Sequence, residues 1–507
     1  MNVKLGNNNL EGTIKIPPSK SLSHRAIIAA ALARGQSKIS NIIYSEDILA
    51  TIDALKALGI NFRMEEDYII VNGGNLYRKM DVINAKESGS TLRFMIPIMM
   101  TIAGKMTFEG ENNLVNRPLD VYISLFDRMN IRYEKGEKAL PLTVYDTLKP
   151  GIYEVPGDVS SQFITGLLYA LCLLDDNSKI VVTTPLESKG YIDLTLDVLN
   201  KFGICIKHDN YQVFYIDGNQ EYKCCDYTVE SDFSQAAFFL ASACFGSKIR
   251  LKNLPLQSYQ SDKAIISILQ QMKANIKILN DDIIVEPSIT YGTTIDLANC
   301  PDLGPIVIVL AALSKGVTNI INAKRLRIKE SDRLHAMYLE LTKLGAKIIE
   351  LEDGMIIYGV DKFNGGICYT HNDHRICMAL SIASQKADGD IILFDADCVK
   401  KSYPDFFKTL HDAQKDLIFL NKLEMARYVI NDLDMQMIKL FEKRMQASFD
   451  VAMYKKENGL PVYDAKREES LINRNVLLLE NQALKDYYLH FFKTLLTVSK
   501  EYQKNEM

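Results

Sequence analysis

Six times between the N-terminus and about residue 412 the sequence repeats one arrangement: a polar lead bearing Ser or Asp, an apolar helix rich in Ala, Leu and Ile, then a strand. The copies read PPSKSLSHRAIIAAALARG, ESGSTLRFMIPIMMTIAG, GDVSSQFITGLLYALCLL, ESDFSQAAFFLASACFG, CPDLGPIVIVLAALSKG and NDHRICMALSIASQK. Their leads, near Ser23, Ser90, Ser161, Ser234, Asp302 and His374, recur roughly every 70 residues, a supersecondary period. Each helix is apolar nearly all round and is expected to be buried. Strands are expected after them at Lys38 to Ile43, Lys105 to Glu109, Lys179 to Thr183, Lys248 to Leu251, Thr318 to Ile321 and Asp390 to Phe394. The fold class is therefore α/β, six βαβ-like units stacked around buried helices with their N-termini converging.

The first lead, Pro17-Pro18-Ser19-Lys20-Ser21-Leu22-Ser23-His24-Arg25, reads as a helix start that holds an anion. Two prolines stop the preceding strand, the serines can cap exposed N–H groups, and Lys20 and Arg25 add charge to the positive end of the helix dipole. An ordinary capped helix with solvated cations fits this stretch equally well. Across the repeats, however, Lys20, Arg25, Arg93, Arg117, Lys329, Arg333, Arg375 and Lys401 cluster near element ends, where a solvated face would scatter them. Such a set suits a substrate bearing several phosphates or carboxylates. Gly89 would let backbone N–H groups approach a ligand. Asp302, at a helix start, and Glu330, among cations, offer an acid and a base, although capping and orienting roles fit both locally.

At 507 residues two or three domains are expected, and a formal net charge of -4 leaves no broad basic face for nucleic acid. Met1 to Gly12 has no apolar signal core and no apolar run reaches a membrane span, so a cytoplasmic location is expected. Nine cysteines with no C-x-x-C spacing read as reduced thiols and not as metal ligands.

The segments PPSKSLSHR, SGSTLRF, NRPLD, PGDVSSQF, LRIKESDRL, NDHR and KKSYPDFF, in this order, resemble the 5-enolpyruvylshikimate-3-phosphate synthases over residues 1 to about 413. The resemblance implies the inside-out α/β barrel of enolpyruvyl transferases, with 1–15 and 225–413 in one subdomain and 16–224 in the other. It also implies transfer of enolpyruvyl from phosphoenolpyruvate to shikimate 3-phosphate through a tetrahedral ketal, without metal or cofactor. Ser21, Arg25, Ser160, Ser161, Ser188, Tyr191, Asp302 and Lys329 would hold shikimate 3-phosphate. Lys20, Gly89, Arg117, Gln162, Arg333, Arg375 and Lys401 would hold phosphoenolpyruvate. Lys20, Asp302 and Glu330 would be catalytic, Asp302 accepting the hydroxyl proton and Glu330 exchanging one at the methylene. Arg325 stands where some relatives carry Asn, and Glu87 replaces an Asn before the Ser-Gly turn, so neither is carried into the site. The UDP-N-acetylglucosamine enolpyruvyl transferases share the barrel but use a loop cysteine, and no Cys lies between Met1 and Leu171.

Beyond about Asp416 the composition turns helical, with one Gly, one Pro and no Cys. A helical pattern runs from about Asp416 to Lys456 with an apolar stripe at Leu423, Ile430, Leu433, Met437 and Leu440, followed by helices from Asp464 to about Glu480 and Gln482 to about Lys504. Residues 414–420 read as a linker or helix start. A helix of roughly 35 to 40 residues is too long for a short tail to cover, so a partner chain is expected. Arg427, Arg444 and Lys455 share the apolar face, yet Arg427 and Arg444 lie roughly 25 Å apart along it, too far to meet one ligand unless an antiparallel twin supplies one of them. A dimerising helix with snorkelling cations accounts for the same residues.

Residues 421–507 resemble the all-helical chorismate mutases, an intertwined dimer family that rearranges chorismate to prephenate. The matching positions implied to bind chorismate are Arg427, Arg444, Lys455, Asp464, Arg467, Glu468, Ser499 and Gln503, with Lys455 and Gln503 at the breaking ether. The expectation is a bifunctional shikimate-pathway homodimer, without nucleic-acid or membrane partners. A regulatory or merely dimerising tail is the alternative.

Overall fold

Each lead ends in a cap. The apolar runs form helices Lys20–Leu32, Gly89–Met99, Ser161–Leu171, Phe233–Ala243, Gly304–Ala312 and His374–Ala383, almost wholly buried. In all but the fifth, a Ser or Asp side chain at the N-cap (Ser19, Ser88, Ser160, Asp232, Asp373) accepts an N–H of the first turn. The fifth is entered through the 3-10 turn Pro301–Leu303. A computed structural model describes residues 1–102, 104–414 and 417–506, in two units, Met1–Leu420 and Asn421–Met507.

The first unit contains six four-stranded sheets of one design: an edge strand, its parallel neighbour, then two antiparallel strands. In the second repeat, Val82–Asn84 and Met106–Glu109 are the parallel pair that brackets helix Gly89–Met99, which is a βαβ unit. The first and fourth repeats exchange their opening strands. Glu11–Lys15 pairs with Lys248–Lys252, and Tyr227–Thr228 pairs with Gly35–Ser40. The exchange creates two apolar cores, one built from residues between Leu22 and Val229, the other from Val3 to Ile16 with Phe233 to Leu417.

The two crossings touch. Ser19 N–H donates to Glu230 O at 2.7 Å and Asp232 N–H to Pro17 O at 2.9 Å, around a bridge between Pro18 and Ser231. Prolines have no N–H to extend this pairing, so the crossing strands meet at one bridge and not in a ladder.

In the first repeat the strand runs from Gly35 to Ser40, earlier than its alternation suggests. Gly35, with φ of 113°, turns the chain directly from helix into strand. The expected helix start or linker at 414–420 is also corrected. Lys415 and Asp416 lie outside the described residues, but Leu417–Leu420 is a strand, pairing with Asn2–Leu5 and completing the sixth sheet. The long helix begins only at Lys422, behind a capping box of Asn421 and Glu424, and runs to Glu457. Helices Ala465–Leu477 and Lys485–Glu506 follow. No helix among the described residues is long and apolar enough to cross a membrane.

Pro97 sits inside helix Gly89–Met99 and cannot donate to the carbonyl of Arg93. The Tyr122 hydroxyl supplies that donor at 2.7 Å, and burial pushes its ionisation well above the ordinary range. Helix Ser161–Leu171 packs closely here. A Cβ on Gly166 would lie 2.5 Å from Arg93 O and 2.7 Å from the Tyr122 hydroxyl. Tyr122→Phe leaves this buried carbonyl unpaired and should cost about 1 to 3 kcal/mol of stability in denaturant unfolding.

Candidate active sites

A cleft between the lobes is lined by first turns of the buried helices and by the loop before helix Arg333–Lys343. Eight cations face it, Lys20, Arg25, Arg93, Arg117, Arg325, Lys329, Arg333 and Arg375, against four carboxylates, Asp47, Asp232, Asp302 and Glu330. The excess of positive charge suits ligands with several negative groups.

Arg333 organises the centre. Its Nε donates to Asp373 Oδ2 at 2.8 Å, Nη1 to Asp302 Oδ1 at 3.0 Å and Nη2 to Glu330 Oε2 at 2.7 Å. Asp302 also receives Arg375 Nη2 and the Tyr191 hydroxyl, each at 3.0 Å, and lies 3.3 Å from Lys329 Nζ. Burial works against ionisation of Asp302, but Arg375, Lys329 and Arg333 outweigh it and hold the carboxyl well below its usual range. Glu330 behaves alike: burial is overcome by Arg333 and by Arg117, whose Nη1 is 3.5 Å away. Both carboxylates are therefore ionised in the free cleft.

The remaining contacts prepare donors. Lys20 Nζ pairs with Asp47 at 2.7 Å, and Gln162 bridges Arg93 (2.7 Å) and Ser90 (2.9 Å). Arg25 is fixed by Thr195 and by the carbonyls of Ser21 and Tyr191. Arg117 Nε is buried with no acceptor among the described residues. Gly89 lies against it, and an added Cβ would come 2.6 Å from Arg117 Nη1 and push the guanidinium aside.

The cleft brings together Lys20, Ser21, Arg25, Gly89, Arg117, Ser160, Ser161, Gln162, Tyr191, Asp302, Lys329, Glu330, Arg333 and Arg375. Two expected members do not line it. Ser188 is fully buried behind Arg325, accepting from its Nη1 at 2.7 Å, and Lys401 is engaged by Glu87 at 2.8 Å. Sequence reasoning missed Asp47 and Asp373, the partners of Lys20 and Arg333. Asp373 was visible as the acid of the NDHR lead, whereas Asp47 carries no local signal. Arg325 was set aside because it departs from relatives, yet it lines the cleft and also reaches Glu187 at 3.2 Å.

In the second unit a pocket is lined by Arg444, Lys455, Asp464, Arg467, Glu468, Ser499 and Gln503. Arg444 donates to the Ser499 hydroxyl, Lys455 Nζ to Val462 O at 2.6 Å, and Lys500 pairs with Glu468 at 3.0 Å. Gln503 Oε1 is buried with no partner among the described residues. Arg427 is exposed and does not line this pocket.

Six βαβ units in two lobes, with helix starts and clustered cations around a carboxylate pair, define the enolpyruvyl transferase class. A solved enolpyruvyl transferase from Streptomyces tendae, 14% identical, shares the fold with a TM-score of 0.68 over 82% of this chain and 98% of that one. The chain belongs to the EPSP synthase (3-phosphoshikimate 1-carboxyvinyltransferase) family, whose family model matches residues 5–410. It is 51% identical over 402 residues to the 3-phosphoshikimate 1-carboxyvinyltransferase of Clostridium perfringens, covering 79% of this chain and 95% of that protein. The Clostridium novyi enzyme of that name is 51% identical over 80% of this chain and 96% of its own length. A solved EPSP synthase from Acinetobacter baumannii, 26% identical, superposes with a TM-score of 0.70 over 82% of this chain and 99% of that one. Residues 426–504 match the family model of chorismate mutase type II, so the chain is a bifunctional shikimate-pathway enzyme.

Burial pulls the Lys329 ammonium down to about 8, with Asp302 opposing and Arg325 and Arg333 adding to the fall. Above that pH the cleft loses a cation, so affinity for sulfate, whose own charge is fixed, should fall as pH rises through about 8. Lys329→Arg should remove this limb in calorimetric titrations, because guanidinium stays charged.

Proposed function

We propose that residues 1–420 transfer the enolpyruvyl group of phosphoenolpyruvate to a hydroxyl of shikimate 3-phosphate, releasing phosphate, and that residues 421–507 rearrange chorismate to prephenate, in a cytoplasmic homodimer. The first reading is carried by Asp302 and Glu330, two carboxylates gripped by one guanidinium inside a cation-lined cleft. Ser21, Arg25, Ser160, Ser161, Tyr191 and Lys329 would hold shikimate 3-phosphate, with Ser188 supporting them through Arg325. Lys20, Gly89, Arg117, Gln162, Arg333 and Arg375 would hold phosphoenolpyruvate, with Lys401 at its edge.

Asp302, already ionised, accepts the proton of the attacking hydroxyl. Glu330 needs a proton before it can give one to the methylene carbon. As the anionic groups of phosphoenolpyruvate engage Arg117 and Arg333, the charged form of Glu330 loses its stabilisation and takes up that proton. Protonation makes the enol carbon electrophilic and the hydroxyl adds to form the ketal. Loss of phosphate then returns the methyl proton to Glu330, and the proton taken by Asp302 leaves on the phosphate, while the cations hold the leaving group. Asp302→Asn and Glu330→Gln should each lower kcat about a hundred- to ten-thousand-fold while shikimate 3-phosphate still binds; wild-type turnover in both would rule out these roles.

The second rearrangement is pericyclic and needs positioning and charge stabilisation only. Arg444 and its neighbours would clamp the carboxylates, Lys455 and Gln503 would stabilise the ether oxygen, and Asp464 and Glu468 would face the ring hydroxyl. The missing Arg427 is expected from a second chain. The long helix supports this, since Leu423, Leu433 and Leu440 are at least half exposed on it. All nine cysteines are free, as suits a reducing compartment. Mixed dimers of Arg427→Ala and Lys455→Ala chains should regain one good site of two, measured as prephenate formation. Complete inactivity would contradict shared sites.

A further inference from the structure

Glu87 belongs to the lobe of residues 22–229 and immediately precedes Ser88, the cap of helix Gly89–Met99. Its carboxylate reaches the opposite lobe. Oε2 lies 2.8 Å from Lys401 Nζ, and Asn372 Nδ2 donates to the same oxygen at 3.1 Å, both from the opposite lobe. On its own side Asn112 Nδ2 donates to Oε1 at 2.8 Å. The Lys401 side chain is 5% exposed and also donates to Asn372 O at 2.7 Å. An ammonium has three N–H donors, so two are committed and the third has no acceptor among the described residues.

We infer that Glu87 is a positioning residue for phosphoenolpyruvate. It ties the Lys401 ammonium to the turn that carries Gly89, so the third donor is held toward the anion that Arg117 meets. Without Glu87 a nearly buried ammonium would lack its counter-charge and its fixed position. The inference rests on the reading of Lys401 as a phosphoenolpyruvate ligand. It extends that reading to an acid that departs from the family pattern and takes no part in the proton transfers.

The test uses the full chain with Glu87→Ala, Glu87→Gln, Lys401→Met and the double variant Glu87→Ala/Lys401→Met. Glu87→Ala should raise KM for phosphoenolpyruvate about ten-fold or more, with a smaller change in kcat. Calorimetric affinity for shikimate 3-phosphate should stay within about twofold, which separates this effect from a folding defect. Glu87→Gln, which keeps an acceptor but no charge, should fall between. The double variant should be no worse than Lys401→Met, because the two residues act as one unit. An unchanged or lowered KM in Glu87→Ala, or additive effects in the double variant, would overturn the role of Glu87 alone, provided Lys401→Met raises KM. If Lys401→Met leaves KM unchanged, the assignment of Lys401 fails and the inference falls with it.

Discussion

Two peptide hydrogen bonds at the lobe crossings set the geometry on which the cleft depends. Ser19 to Glu230 and Asp232 to Pro17 hold the strand exits of the first and fourth repeats against each other. Helices Lys20–Leu32 and Phe233–Ala243 start immediately beyond them, in opposite lobes. Asp232 binds both: it caps the second helix and accepts the backbone N–H of Lys20 at 3.2 Å. The first lysine of the cleft is thereby placed by backbone geometry, and not by its own flexible stem. The prolines that forbid a longer ladder keep the backbone contact between the two well-packed cores short at this crossing.

The cleft itself is an electrostatic compromise. So many guanidinium and ammonium groups at helix starts would repel one another, and the acids between them relieve this. Asp373 and Asp302 hold Arg333, Asp47 holds Lys20, and Glu187 holds Arg325. The same pairing favours the ionised forms of Asp302 and Glu330, so the cation lattice tunes the acid and base as well as holding ligands. Behind them, Asp262 is pushed up to about 7 by burial and then by the charge of Asp302, with the Tyr191 hydroxyl between the two acids.

The repeats were legible because their two periods differ so plainly, apolar all round in the helix and alternating in the strand. Lead residues such as Lys20, Arg333 and Arg375 could be found because caps and cations cluster at element ends. What could not be read were partners from other repeats. Asp47 opens an ordinary amphipathic helix, and only the packing of Glu46–Lys56 beside Lys20–Leu32 brings it to the lysine. Exchange of Glu11–Lys15 with Tyr227–Thr228 left no trace in the local residues, since each strand pairs with one far away in sequence, and only the family resemblance placed 1–15 with the later half of the barrel. Leu417–Leu420 misled because four apolar residues beside a helix suit a helix as well as a strand. Only the open edge of Asn2–Leu5 decides between them.

That edge strand also fixes an order of assembly. Asn2–Leu5 is made before both of its neighbours in the sixth sheet, Ile391–Phe394 and Leu417–Leu420. The lobe of residues 22–229 can form as soon as it is made, whereas the other must wait, with its first strand unpaired, until residue 420 has emerged. Only Asn421 separates that last strand from the helix of the second unit.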